Sequence, residues 1–349
     1  MRPSNQPRST ASQVDRRRLL ALIEAFRSTR VAVFGDLIVD EFIYGQLARV
    51  SREAPVLILN YDSTEIVPGG AGNAASNVAS LGGAAAAIGV AGRDEPGRRV
   101  LDVMRRRRID VRAIIRPAGY RTPTKTRILA GGIHSAKQQV VRIDRASGAS
   151  LADADRRAIE TRLLAAADHA NALLVSDYGS GLVTAAAVAH ARRRLGSRLR
   201  NARPPVVLVD SRYALRRFRG MTACTPNESE VEQLLGVKIG ENARVLERAG
   251  REVQALTRAR AVLVTRGSRG MALFEPGRPT VHIPIVGSDQ VADVTGAGDT
   301  VIATMTLALA AGGSAVEAAH LANFAGGIVV MKRGTATVSA AELREAVAR

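Results

Sequence analysis

Short apolar runs recur along the chain at VAVFG (31–35), AAIGVAG (86–92), ALLVSD (172–177), PVVLVD (205–210) and AVLVT (261–265). Each is short for a helix and apolar throughout rather than alternating, as strands buried on both faces are. Between them, apolar residues return with helical spacing over 14–26, 71–82, 95–107, 153–169, 184–195 and 243–256. A further run, VIATMTLALAAG (301–312), predicts a helix with a buried face. Strands alternating with helices predict an α/β fold, a mostly parallel sheet covered on both faces.

Two stretches break this rhythm. EFIYGQLARVSREAPVLILNYDS (41–63) and TKTRILAGGIHSAKQQVVRID (124–144) alternate like strands, with no helix between their halves. Each predicts a hairpin, and together they predict a small antiparallel lid outside the main sheet. No long linker, repeat or low-complexity block interrupts residues 15–349, so one domain with a lid is expected. Residues 1–14 are polar and lack the apolar centre of a signal peptide, and they read as a disordered tail.

Composition narrows the function. Hydrophobic residues make up 46% of 349, ample for a core, and no run has the roughly 18 apolar residues of a membrane span. A single cysteine, Cys224, rules out an internal disulfide and fits a reducing, cytoplasmic compartment. The net charge of +18 raises nucleic acid as a partner, but the basic residues are spread out, aromatics are only 3%, and Arg far outnumbers Lys. The RRRR at 105–108 reads as a solvated helix end. The same charge suits anionic small molecules equally well. The histidines His134, His169, His190, His282 and His320 show no zinc spacing. Gly70, Gly72 and Ala75, with Asp94 downstream, fit a dinucleotide fingerprint, but a hairpin rather than the first strand precedes them. No G-x-x-x-x-G-K-[ST] occurs.

The most informative stretch is DVTGAGDT (293–300). Thr295 reads as an N-cap, and the amides of Gly296, Ala297 and Gly298 would then form an anion hole at a helix start. A carboxylate beside that hole, Asp299, is suited to take a proton from a hydroxyl attacking a phosphoryl group.

The chain resembles the ribokinase-like (PfkB) carbohydrate kinases. DVTGAGDT is similar to their C-terminal signature and PGGAGNAASNVASLGG (68–83) to their N-terminal one. GDLIVD (35–40), TPNESE (225–230) and TRGSRG (265–270) resemble three further family elements, in family order. The resemblance implies a ribokinase-like α/β/α fold with a β lid, ATP as phosphoryl donor and Mg²⁺ as cofactor. It implies Asp299 as catalytic base, with Asp40, Gly69, Gly70 and Asn73 around the sugar. Asn227 and Glu230 would organise Mg-ATP, mostly from the metal's outer sphere, and Thr265, Gly267, Gly270 and Asn323 would hold the nucleotide.

Within the family, ARVSREAPV (48–56), the 124–144 stretch, SDYGSG (176–181) and ANFAGGIVVMKRGTATVS (322–339) resemble the branch acting on heptose 7-phosphate in lipopolysaccharide inner-core synthesis. A phosphorylated sugar needs cations, and Lys125, Arg127 and Arg142 on the lid strands are the candidates. Two positions depart from that branch, Ser180 in place of a lysine and Asp210-Ser211-Arg212 in place of aspartate–proline–lysine. The branch's kinase is the N-terminal half of a fused enzyme, so adenylyl transfer is expected from a separate nucleotidyltransferase. Exposed lid edges and the apolar VLIL (56–59) predict a homodimer. A kinase for fructose, ribose or a nucleoside, and a non-catalytic binding protein of this fold, are the alternatives.

Overall fold

The computed structural model describes residues 14–131, 137–146, 151–198, 204–286, 293–332 and 334–349. Most of the predicted tail, the turn of the second hairpin with His134, and part of the loop before DVTGAGDT lie outside these residues. In chain order the elements begin α1 (Arg16–Ala25), β1 (Arg30–Gly35), β2 (Leu37–Val50), β3 (Leu57–Gly70), α2 (Ala71–Ser80) and β4 (Ala84–Val90). Next come α3 (Glu95–Arg106), β5 (Ile114–Ile115), β6 (Thr124–Gly131), β7 (Gln138–Arg145) and α4 (Asp153–Ala167). They continue with β8 (Ala172–Asp177), α5 (Ala185–Arg198), β9 (Val206–Ser211), β10 (Ala223–Cys224), α6 (Glu228–Leu235) and α7 (Ala243–Thr257). The last are β11 (Ala261–Thr265), β12 (Met271–Phe274), β13 (Val281–Ile283), α8 (Ala297–Ala310), α9 (Ala315–Val329) and α10 (Ala340–Ala348).

Nine strands form the main sheet in the order β13-β12-β11-β10-β9-β8-β1-β4-β5. All neighbours from β11 to β5 are parallel, and only the edge pairs β11/β12 and β12/β13 run antiparallel. Alternation within each strand divides the core in two. Val31 and Val33 of β1 pack with α1, α2, α3, α8, α9 and α10, whereas Ala32 and Phe34 pack with α4, α5, α6 and α7. This is the predicted fold class, with every predicted central strand and helix present.

The lid differs in one respect. Both hairpins form, but they join through β2 and β6, which pair in parallel, so the four-stranded lid sheet β3-β2-β6-β7 is mixed and not antiparallel. β2 starts one residue after β1 ends, and its first residues, Leu37 to Asp40, are buried. The lid therefore grows directly out of the core sheet. Direct continuation from β1 brings β2 up from the floor of the main sheet, and the chain returns to it after β5 in the same direction.

The junction depends on a close approach. A Cβ on Gly35 would lie 2.0 Å from the carbonyl oxygen of Ser176, where β1 and β8 converge. Backbone cannot yield as a side-chain tip does, so Gly35→Ala is expected to destabilise the fold by about 1–3 kcal/mol, the range for overpacking. An unchanged urea midpoint would contradict that close contact.

Candidate active site

At the C-terminal ends of the parallel strands, under the lid, four segments converge on Asp299. The carboxylate lies in the first turn of α8 and is 3% exposed. Asn73 of α2, fully buried, donates from Nδ2 to Asp299 Oδ2 at 2.9 Å. The Tyr178 hydroxyl lies 3.2 Å from Oδ1 and 3.4 Å from Oδ2. Burial raises the Asp299 pKa to about 7, against the opposing effect of the Asn73 and Tyr178 hydrogen bonds; Asp40 adds to the rise and Lys125 reduces it.

The helix start is built differently from the expectation. Gly296, at φ +80°, occupies the N-cap position, and no side chain caps the helix, so Thr295 is not the cap. Instead the Thr295 amide donates to Asp293 Oδ1 at 2.8 Å. A Cβ on Gly296 would lie 2.5 Å from Asn73 Nδ2, so the helix entry needs glycine for space as well as for its dihedral. The Ala297 amide is also not free, donating to the Val294 carbonyl at 3.2 Å. The amides of Gly298 and Asp299 follow at the start of α8, where no helical carbonyl precedes them.

The sugar-side residues predicted from the sequence lie together. Asp40 is 6% exposed and forms an ion pair with Arg127 at 2.6 Å, while the Thr335 hydroxyl donates to its other oxygen at 3.1 Å. Gly69 leaves room for that carboxylate, since its Cβ would sit 2.5 Å from Asp40 Oδ2. Gly70, at φ +55°, is the N-cap of α2. Lys125 stands over the Tyr178 ring, 5.8 Å from its centroid. Arg142 is different. It is half-exposed on the outer strand β7 and pairs with Asp144 at 2.9 Å on the same strand. Arg127, too, spends its charge on Asp40 in this structure, which leaves Lys125 as the predicted lid cation without an ion pair among the described residues.

Four of the six residues expected at the nucleotide, Thr265, Gly267, Gly270 and Asn323, line one cavity of about 200 Å³ with Ala297 and Gly298; Asn227 and Glu230 do not line it. Its apolar walls include Met271, Ile285 and Val301, suited to a flat purine. Asn323 Nδ2 donates to the Pro284 carbonyl at 2.7 Å. A larger cavity, about 640 Å³, lies against the N-terminal ends of β1 and β4 and includes none of these residues. Parallel sheets bind ligands at the opposite end, so the smaller cavity is the relevant one.

Asn227 and Glu230 form a reciprocal cap on α6: Glu230 N donates to Asn227 Oδ1 and Asn227 N to Glu230 Oε2, both at 2.9 Å. Burial raises the Glu230 pKa, with Arg212 acting against the rise. Asp210 is raised far more, by burial first and then by Glu230, Asp299 and Asp177. Gly298 faces it, with a Cβ position 4.0 Å from Asp210 Oδ2. Among the described residues no group of three His, Cys, Asp or Glu is placed to hold a metal ion.

Both departures from the pattern find structural partners. Ser180 hydrogen-bonds Asp36 through its hydroxyl, and Arg212 stacks over Tyr213 at 5.7 Å. Asp94, the acidic residue of the dinucleotide fingerprint, caps α3 and accepts hydrogen bonds from Thr122, a structural task. Sequence reasoning overlooked Tyr178, Asp36, Asp177 and Thr335. All four lie within quoted motifs, and for the first three polar residues at the ends of core strands were the available signal.

A match to the pfkB family of carbohydrate kinases covers residues 28–342, and the chain belongs to that family. Two bifunctional HldE proteins illustrate the similarity. That of Geobacter sulfurreducens is 37% identical over 334 residues, covering 95% of this chain and 65% of the relative. That of Klebsiella pneumoniae subsp. pneumoniae is 38% identical over 322 residues, covering 92% of this chain and 64% of the relative. The chain thus spans about two-thirds of the length of these relatives. Among solved structures, Arabidopsis thaliana ribokinase complexed with ribose and ATP superposes with a TM-score of 0.68 at 18% identity, covering 91% of this chain and 98% of that one. Phosphofructokinase-2 from Escherichia coli in complex with fructose-6-phosphate gives 0.69 at 19%, covering 92% and 98%. These support the ribokinase-like fold. No helix among the described residues is long and apolar enough to cross a membrane.

The raised pKa of Asp299 has a consequence for stability. A carboxyl that binds its proton more tightly folded than unfolded contributes most below the unfolded pKa of about 4 and loses that contribution as pH rises toward 7. Asp299→Asn should therefore be more stable than wild type at pH 8, on the order of 1–3 kcal/mol, with the gain vanishing near pH 4. Urea denaturation at the two pH values checks both magnitude and sign.

Proposed function

We propose that the chain transfers the γ-phosphoryl group of ATP to the anomeric hydroxyl of a heptose 7-phosphate, giving the 1,7-bisphosphate. The observation carrying this reading is a buried carboxylate, Asp299, at the start of α8, with Ala297 and Gly298 of the same turn lining a cavity on one side and the polar groups of Asn73, Tyr178, Asp40 and Lys125 gathered beneath the lid on the other. The 37–38% identity to bifunctional HldE proteins supports heptose phosphate as the acceptor.

In this mechanism Asp40 and Asn73 orient sugar hydroxyls, and Gly69 and Gly70 let the ring approach backbone. ATP lies with its base in the cavity bounded by Thr265, Gly267, Gly270 and Asn323, and its terminal phosphate at the amides of Gly298 and Asp299. Asp299 takes the anomeric proton as that oxygen attacks the γ-phosphorus in line. The new P–O bond forms as the bond to the β,γ-bridging oxygen breaks, and ADP leaves with the electron pair. The second oxygen of Glu230 and the oxygens of Asp210 would offer hard donors to Mg²⁺ and its waters, which would neutralise phosphate charge. Lys125 is the first choice for the sugar's phosphate. Lid closure excludes water that would otherwise consume ATP.

The lid's two faces support a homodimer. Asp40, Phe42, Lys125 and Arg127 share one face by register, whereas Ile43, Ile128, Val141 and Ile143 share the other. Val141 and Ile143 are 47% and 48% exposed, and a second copy would cover them. Light scattering at micromolar concentration tests this, and a monomer there would remove it.

In a coupled ADP-release assay, heptose 7-phosphate should exceed fructose and ribose in kcat/KM. Preference for an unphosphorylated sugar would overturn the substrate reading while leaving a sugar kinase. Asp299→Asn should lose about 10²–10⁴ in kcat while still binding ATP. Lys125→Met should raise KM for the sugar phosphate about tenfold or more, as loss of a charged contact does, whereas Arg142→Ala should change it little.

A further inference from the structure

Tyr178 lies at the tip of a turn tied down at every residue. Its amide donates to Asp36 Oδ2 at 2.8 Å, and the amide of Ser180 donates to the same oxygen at 3.2 Å. The Ser180 hydroxyl bonds the other oxygen of Asp36. Between them the Gly179 amide donates to Asp177 Oδ1 at 3.0 Å, and Asp177 Oδ2 accepts from the Ser211 hydroxyl at 2.6 Å. Gly179 and Gly181, at φ +85° and +82°, allow the chain to fold back over so short a distance. Two buried carboxylates thus fix a five-residue turn whose single long side chain points at Asp299.

We propose that Tyr178 is a positioning residue for the base: its hydroxyl donates to Asp299, fixes the plane of the carboxylate and favours its ionised form. The proposal deepens the reading of Asp299 as the base, on which it rests. Burial, with the charges of Asp299, Asp210 and Asp40, pushes the Tyr178 phenol well above its ordinary range, so it remains a donor throughout the working pH range. Hydrogen bonds to a carboxylate stabilise its charged form and lower its pKa. Burial raises Asp299 and the hydrogen bonds from Asn73 and Tyr178 hold the rise to about 7, so that donation bears on how much of the enzyme holds a competent base at neutral pH. Asn73 is the other donor, and Asp40, Lys125 and Asp210 are the titratable groups facing Asp299 from β2, β6 and β9. None of these is altered by removing the Tyr178 oxygen.

The test is the pH dependence of kcat/KM for Tyr178→Phe beside wild type and Asp299→Asn. Phenylalanine keeps the ring under Lys125 and removes only the donor. The acid limb should move to higher pH by about one unit, costing about tenfold on the acid side and leaving the alkaline plateau within a few-fold of wild type. A merely structural role would lower the whole profile without moving the limb, and that result overturns the proposal. Titration of the Asp299 carboxyl carbon by ¹³C NMR, assigned by its absence in Asp299→Asn, should show the same upward move without reference to activity. Should Tyr178→Phe not fold, Ser180→Ala carries the test by loosening the turn: the limb should move the same way, and an unmoved limb overturns the proposal. Turnover surviving in Asp299→Asn overturns the base reading itself; a dead Asp299→Asn with an unmoved limb in Tyr178→Phe overturns only the role given to Tyr178.

Discussion

The contact between Asn73 and Asp299 joins two distant parts of the chain around a charge that water no longer reaches. A carboxylate this buried needs donors, and α8 alone supplies only the amides of its first turn. Asn73 and Tyr178 supply the rest, and Asn73 is held in turn. Asn77, one turn further along α2, donates to the Asn73 carbonyl at 3.1 Å and accepts from Thr300 beside Asp299 at 3.1 Å. This polar ladder fixes the rotation and register of α2 against α8 inside an otherwise apolar core. Gly296 has no Cβ because Asn73 occupies that space. Sequence signatures far apart in the chain, PGGAGNAAS and GAGD, are thus two sides of one packed contact.

Below that contact, the close approach of β1 to β8 at Gly35 places Asp36 beneath the 177–181 turn. The same strand end turns immediately into β2 and carries Asp40 upward into the lid. One stretch of six residues, 35–40, therefore supplies the floor under Tyr178 and the Asp40 carboxylate beneath the lid. Rigidity at the floor and reach at the lid come from one continuous stretch because β2 is buried from Leu37 to Asp40 and exposed only from Gln46 onward.

The central strands were legible because burial on both faces leaves an unbroken apolar run, the plainest signal a parallel sheet has. The lid hairpins were legible through their alternation. Their joining was not: β2 and β6 pair in parallel, and no local pattern reports which distant strand lies alongside. That missing register also hid the ion pair between Arg127 and Asp40, so a cation assigned to substrate turned out to be already partnered. Thr295 was misread because capping rules favour a hydroxyl, whereas this helix begins from a left-handed glycine with an asparagine packed against it. Thr265, Gly267, Gly270 and Asn323 were placed together by family likeness, not by any periodicity. Tyr178 carries no local signal, because its contact with Asp299, 121 residues further on, is reported by neither periodicity nor spacing.

Charge on the lid's inner face has a bearing on how base and acceptor communicate. Arg127 is neutralised by Asp40, whereas Lys125 faces the Tyr178 ring and lowers the proton affinity of Asp299 from a distance. An anion gripped by Lys125 offsets part of that influence, because one ammonium charge cannot stabilise two anions as fully as one. The carboxylate then depends more heavily on its two neutral donors, Asn73 and Tyr178, whose hydrogen bonds are not weakened by an arriving phosphate. Neutral donors fixed by a buried helix and a buried turn hold their effect through binding, whereas a cation on the lid would share its own. On the proposed reading, in which an anionic sugar arrives next to an anionic base, this division serves the site: the cation would meet the substrate, and the uncharged groups would keep the base ready.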